Sequence, residues 1–279
     1  MLDDLKLAGY SPATMREYER CLRKLVDFAG KPPGRIDAED VRRFLLQLSD
    51  RDGLSASTRK VYVCAFRFFF RTTLRRPEVV AHLPLPKVDS PTPEVLSHDE
   101  VRRVLDAIDG LLLLAIAALI YDTGLRLQEV RLLMPEDIDS DRMLIHVRQA
   151  KGRQGRYVIF GERVLAVLRA YYRAARPAPP WLFAGRVPGQ PVSRDAIQQG
   201  LRRAGRRARI DKPVTPHVLR HTFATHVIES DSRNLHHLQL LLGHRSIHTT
   251  MRYLHLSRQK LGQVRSPLDT ATEAGWSDR

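Results

Sequence analysis

Apolar residues recur at three- and four-residue steps along much of the chain. Between 11 and 30, Met15, Tyr18, Leu22, Leu25 and Ala29 make one stripe, the period of a helix with one buried face. Ser11 followed by Pro12 opens it and Gly30 closes it, as an N-cap and a terminating glycine do. The stretch 37–53 repeats the design, with Asp37 as cap and Val41, Phe44, Leu45 and Leu48 inside. A third helix is predicted over 55–74, with Tyr62, Ala65, Phe66 and Phe69 inside and Arg59, Lys60, Arg67 and Arg71 facing elsewhere. Three short helices with basic faces suit a clamp on a duplex, although a solvated face carries such charge equally well.

Periodicity stops at "LPLPKVDSPTPEVLS" (83–97), which has four prolines and reads as a semi-rigid linker. The expected organisation is a helical domain over 1–86, a linker over 87–96 and a second domain over 97–279. In the second domain a helix starts at Asp99, and the apolar run 111–121 makes another. Its eleven residues fall short of the ~20 needed to span a bilayer, so it is expected to be a core helix. "RMLIHVR" (142–148) and "RYVIF" (156–160) read as strands joined by the turn "QAKGRQG", followed by helices over 163–176 and 193–210. The predicted fold class is mainly α with a small β-hairpin or sheet: a helical N-terminal domain and a mixed α/β C-terminal domain.

Charge narrows the partner. Lys+Arg 46 against Asp+Glu 31 gives +15 over 279 residues, a field that draws polyanions, nucleic acid first among them. The two cysteines, Cys21 and Cys64, sit in amphipathic patterns and read as buried thiols of a cytoplasmic protein. No signal peptide opens the sequence. Eight of the eleven histidines lie between 217 and 255, yet no HExxH or cysteine pair occurs and His236 and His237 are adjacent, so no metal site is expected. No phosphate-binding P-loop is present, which disfavours nucleotide hydrolysis.

Four stretches of the second domain carry candidate chemistry. In "DTGLRLQEV" (122–130), Thr123-Gly124 ends or bends the apolar helix. Arg126 then stands at the opening of the next, where a guanidinium fork and helix-start N–H groups suit phosphate. A surface arginine in a salt bridge is the ordinary alternative. Lys151 sits in the hairpin turn, where a lysine is usually solvated. In "VTPHVLRHTFATHV" (214–227), Thr215 and Pro216 open a helix on which His217 and Arg220 are neighbours. In "LLGHRSIHTTMRYLHLS" (241–257), Gly243 ends a helix, His244 follows, and a further helix presents Tyr253. Two arginines, a lysine, two histidines and a tyrosine are what metal-free phosphodiester exchange needs. Arginines stabilise the charge of the pentacoordinate phosphorus, a lysine protonates the leaving oxygen, and tyrosine is the nucleophile.

From about Thr92 to Asp269 the chain resembles the tyrosine recombinases of the phage integrase family, Xer-type recombinases and integron integrases in particular. The motifs that carry this are "TGLRLQEV", "AKGRQGRYVIF", "TPHVLRHTFATHV", "LLGHRSIHTTMRYLH" and "SPLD", in that order. The resemblance implies that Arg126 and Arg220 grip the scissile phosphate and that His217 exchanges the tyrosine proton. His244 would hydrogen-bond the phosphate, Lys151 protonate the 5′ oxygen, and Tyr253 form a 3′-phosphotyrosine. It implies a C-shaped clamp on double-stranded DNA, a homo-tetramer on paired sites, and a tail exchanged between protomers. No cofactor, membrane or small-molecule substrate is implied. Gln128 departs from the family, which usually has a small residue there, and Arg153 and Arg156 compete with Lys151 for a place at the phosphate. A catalytically silent DNA-binding regulator and a type IB topoisomerase-like enzyme are the alternative readings.

Overall fold

The computed structural model describes residues 1–88, 94–148 and 155–230. The chain divides into two compact units, Met1–Pro91 and Thr92–Arg279. The central part of the expected linker, residues 89–93, lies outside the described residues.

The first unit contains α1 (Leu2–Leu7), α2 (Pro12–Ala29), α3 (Ala38–Asp50) and α4 (Ala56–Phe68). The predicted caps form: Ser11 Oγ accepts from the Thr14 amide, and Gly30 adopts φ 60° while its N–H reaches Val26 O. Asp37 and Asp40 bond reciprocally across the start of α3, which satisfies two otherwise orphaned amides. Asp40 is 1% exposed and also receives Lys31 Nζ at 2.8 Å and Arg43 Nη2 at 2.7 Å. The Lys31 ammonium holds its carboxyl down at about 2, against the opposing pull of burial.

Three features differ from the pattern reading. Helix α4 gives way at Phe69 to a π turn, Phe69–Thr73, whose wider winding turns Phe70 fully inward and leaves Phe69 only partly buried. Arg59 and Arg67 also do not simply face solvent. Arg59 Nη1 bonds Ser49 Oγ and Arg67 Nη2 bonds Leu83 O at 2.6 Å, because long stems bury while the head groups find acceptors. Helix α1 was not expected, since its six residues bury Leu5 alone.

The second unit contains α5 (His98–Asp106), α6 (Leu111–Thr123), α7 (Leu127–Arg131), α8 (Glu162–Ala175), α9 (Arg194–Arg207) and α10 (Pro216–Ser230). Its sheet is antiparallel in the order β1 (Ile138–Asp139), β2 (Leu144–Val147) and β3 (Arg156–Ile159). Leu144 pairs with Ile159 and Val147 with Arg156. The two-residue β1 is an addition to the predicted hairpin. Helix α6 is the centre of the core: every residue from Ala115 to Ile120 is buried, and α8 and α10 pack against it. A Cβ on Gly205 of α9 would come within 2.6 Å of Val214 Cγ2, so glycine there lets the segment before α10 lie close. Among the described residues no helix is long and apolar enough to cross a membrane.

Candidate active site

The site is assembled where α6 ends. Gly124 takes φ 63° and returns its N–H to Ile120 O, a left-handed C-cap that a side chain would strain. Thr123 Oγ1 donates to Leu119 O at 2.6 Å and accepts the Leu125 amide at 3.3 Å. The turn buries Leu125 and sets Arg126 as the N-cap of α7. Arg126 is held there by Glu129, which accepts its amide at 2.8 Å and its Nη1 at 3.1 Å.

Glu129 is the hub of this corner. Arg156, the first residue of β3, reaches it through Nη1 and Nη2, at 2.9 Å each. The two side chains are 12% and 17% exposed. Burial pushes the Glu129 carboxyl upward, but Arg156, with a smaller part from Arg126, outweighs it and keeps the group below the usual range. Arg156 is therefore a strand residue and a support for Arg126 through Glu129, rather than part of the turn around Lys151. Sequence reading missed this pair. The signal available was Glu129 three residues after a helix cap, the spacing of a reciprocal cap.

Arg220 comes from α10, a helix buried on almost every side, with Val218, Leu219, Thr222, Phe223, Ala224, Thr225 and Ile228 all buried. Its side chain is 4% exposed, and its Nη1 donates to Gly124 O at 2.5 Å. One guanidinium is thus anchored on the turn that presents the other. His217 lies one helical turn before Arg220 and is exposed. Its Nε2 is 2.8 Å from His221 Nε2. Desolvation and then the Arg220 charge lower its pKa, which favours the neutral imidazole able to take a proton. Thr215 Oγ1 caps α10 by accepting the Val218 amide at 3.2 Å.

Arg126, His217 and Arg220 are thus located, with Arg220 bonded to the turn at the end of α6 from which Arg126 follows. Lys151, His244 and Tyr253 lie outside the described residues, as do Arg153, His236 and His237. A groove of about 400 Å³ beside Arg126 is also lined by Gln128, Glu129, Arg148 and Trp181. Among the described residues no group of three His, Cys, Asp or Glu side chains is placed to hold a metal ion.

Residues 94–260 match the phage integrase family, and residues 1–78 match its N-terminal SAM-like domain. The chain belongs to the phage integrase family. It is 39% identical to y4qK of Sinorhizobium fredii, an integrase/recombinase by name, over 96% of this chain and 87% of that one. It is 31% identical to the tyrosine recombinase XerA of Saccharolobus solfataricus, over 91% of this chain and 86% of that one. A crystal structure of XerA recombinase superposes with a TM-score of 0.56 at 28% identity, covering 99% of this chain and 97% of that one. The Tn1549 transposon integrase, solved with circular intermediate DNA, shares the fold at a TM-score of 0.74 and 20% identity, covering 94% and 97%. As a tyrosine recombinase the protein is an enzyme of DNA strand cleavage and joining.

Proposed function

We propose that this protein is a site-specific DNA recombinase that cuts and rejoins double-stranded DNA through a covalent 3′-phosphotyrosine, for integration, excision or resolution of DNA elements. The observation that carries the reading is the bond from Arg220 to Gly124 O, which ties both candidate phosphate-binding arginines to one turn. Arg126 and Arg220 stabilise the charge that builds on the non-bridging oxygens. His217, neutral at pH 7, takes the proton of Tyr253 as it attacks phosphorus. His244 hydrogen-bonds the phosphate, and Lys151 protonates the departing 5′ oxygen. The bond energy stays in the phosphotyrosine, so rejoining requires neither ATP nor a metal ion.

In this reading the domain over 1–86 and the domain over 97–279, joined by 87–96, grip the duplex in the cytoplasm. Four copies on two DNA sites exchange strands, each lending its C-terminal tail to a neighbour. The relatives named for recombination and the Tn1549 integrase solved with DNA support the choice of substrate. The test is a duplex carrying the recombination site with a nick beside the cleavage position, analysed on a denaturing gel. Wild type should accumulate a covalent protein–DNA band, and Tyr253→Phe should bind the duplex and form none. A covalent band with Tyr253→Phe would overturn the assignment.

A further inference from the structure

Gln128 breaks the expected small-residue pattern beside Arg126, and its side chain has an unusual task. Its Oε1 accepts from Arg131 Nη1 at 2.7 Å and from Arg194 Nε and Nη2 at 3.0 and 2.9 Å. An amide oxygen has two lone pairs, so three donors from two cations oversubscribe it. Arg131 is further fixed by its Nε, which donates to Val192 O at 2.5 Å. Two guanidiniums are therefore drawn together on a neutral group. Among the described residues neither has a carboxylate partner, whereas Arg126, Arg148 and Arg156 nearby all do. Burial, and then the charge of Arg194, lower the pKa of Arg131, the mark of a cation lacking a counter-charge.

Such an arrangement is stable without a carboxylate but gains most from an anion. Arg131 Nη2 and Arg194 Nη1 have no acceptor among the described residues, and a guanidinium fork matches phosphate oxygens. Gln128 also lines the groove that contains Arg126, so the residue that holds both guanidiniums borders the candidate site for the scissile phosphate. Arg194 is exposed at the start of α9 and is free to meet a ligand. We propose that Arg131 and Arg194 form a binding site for a DNA backbone phosphate other than the scissile one, with Gln128 as the positioning residue that holds both guanidiniums. This rests on the recombinase reading above. The neutrality of Gln128 is essential to it, because a carboxylate at that position would hold the arginines just as well and cancel their charge.

That difference supplies the test. Binding of the full chain to labelled duplex is measured against salt concentration, together with thermal unfolding, for wild type, Gln128→Glu, Gln128→Ala and Arg194→Gln. Gln128→Glu should leave the melting temperature unchanged or raise it, while weakening DNA binding about tenfold and reducing the log–log salt slope by about 1. Arg194→Gln, at an exposed position that does not threaten folding, should give the same loss. Gln128→Ala keeps the net charge and should weaken binding by a smaller factor. If Gln128→Glu and Arg194→Gln bind DNA with wild-type affinity and slope, the cluster is only a strut for the segment before α9 and the proposal falls. If the loss appears on one DNA sequence and vanishes on a scrambled one, the pair reads a base edge and the phosphate assignment is overturned. Covalent trapping by wild type keeps the two readings apart: a wild type that traps DNA beside variants that bind normally refutes this site alone.

Discussion

Glu129 is gripped by both terminal nitrogens of Arg156, which stands 27 positions later in the chain. The pair joins α7 to β3 and leaves Glu129 able to hold the amide and guanidinium of Arg126 at the same time. The orientation of a candidate phosphate-binding group thus depends on an ion pair formed between two other residues.

Glu129→Gln should therefore cost both stability and chemistry. Removing one partner of a buried pair costs about 3 kcal/mol, at the low end of the usual range because both side chains retain some water contact. The denaturation midpoint should fall accordingly, and the rate of covalent-complex formation by DNA-bound protein should fall with it. A destabilised protein that cleaves at the wild-type rate would separate Arg126 from this support.

The general acid can be tested by changing the leaving group. An alkoxide needs a proton to depart, whereas a thiolate, whose conjugate acid has a pKa of roughly 8.5, does not. Replacing the bridging 5′ oxygen by sulfur should restore cleavage to Lys151→Ala. Arg126→Ala and Arg220→Ala should recover much less, because the non-bridging oxygens they stabilise are unchanged. A Lys151→Ala protein equally slow on both substrates would remove lysine from that role.

Acid should loosen the protein at His226. Its ring stacks on His98 at 3.8 Å and its Nδ1 is 2.9 Å from the Tyr121 hydroxyl, while Asp122 and Glu229 line the same cavity of about 530 Å³. Burial and then His98 lower its pKa from 6.5 to about 4. The unfolded chain binds the extra proton between those values, so this contribution is present above pH 6.5 and is lost as pH falls toward 4. The loss should be on the order of 2 kcal/mol after allowing for solvent contact. Unfolding measured at pH 7 and pH 5 should show it, and His226→Gln should flatten the dependence.

Asp40→Asn should weaken the first unit through the start of α3. An amide still accepts from Lys31 and Arg43 but loses their charge, and with the reciprocal cap weakened the cost is roughly 1–2 kcal/mol. In the wild type the carboxylate's contribution is present above its ordinary pKa near 3.8 and disappears as pH falls through about 2. Urea unfolding at pH 7 and pH 2 should show a difference between the two proteins at neutral pH that shrinks in acid.

Much of this architecture was legible because it is local. Ser11, Gly30 and Asp37 announce helix ends through their own side chains or backbone freedom, within four residues of the groups they serve. Thr123-Gly124 likewise places Arg126 at a helix opening. The Glu129–Arg156 pair was illegible for the opposite reason, since only the closing of β2 on β3 brings it together. Stripe counting also undersold α10, where Arg220, Thr222 and Thr225 are buried although polar. Periodicity treats such residues as outward-facing, and only the helices packed around α10 show otherwise. The one-residue change of phase at Phe69 follows from π winding, which an apolar run of three phenylalanines does not disclose.

The bond from Arg220 to Gly124 spans 96 positions of chain, and that separation governs when the two guanidiniums of the proposed site come together. Contacts between distant residues form only after the intervening loop has been closed. During synthesis, Gly124 and Arg126 emerge long before α10 exists, so a nascent chain has the first guanidinium without the second. A chain that has lost α10 by local unfolding is in the same position. On the proposed mechanism, every form of the molecule without α10 would lack the second of the two guanidiniums and its seat on the Gly124 carbonyl.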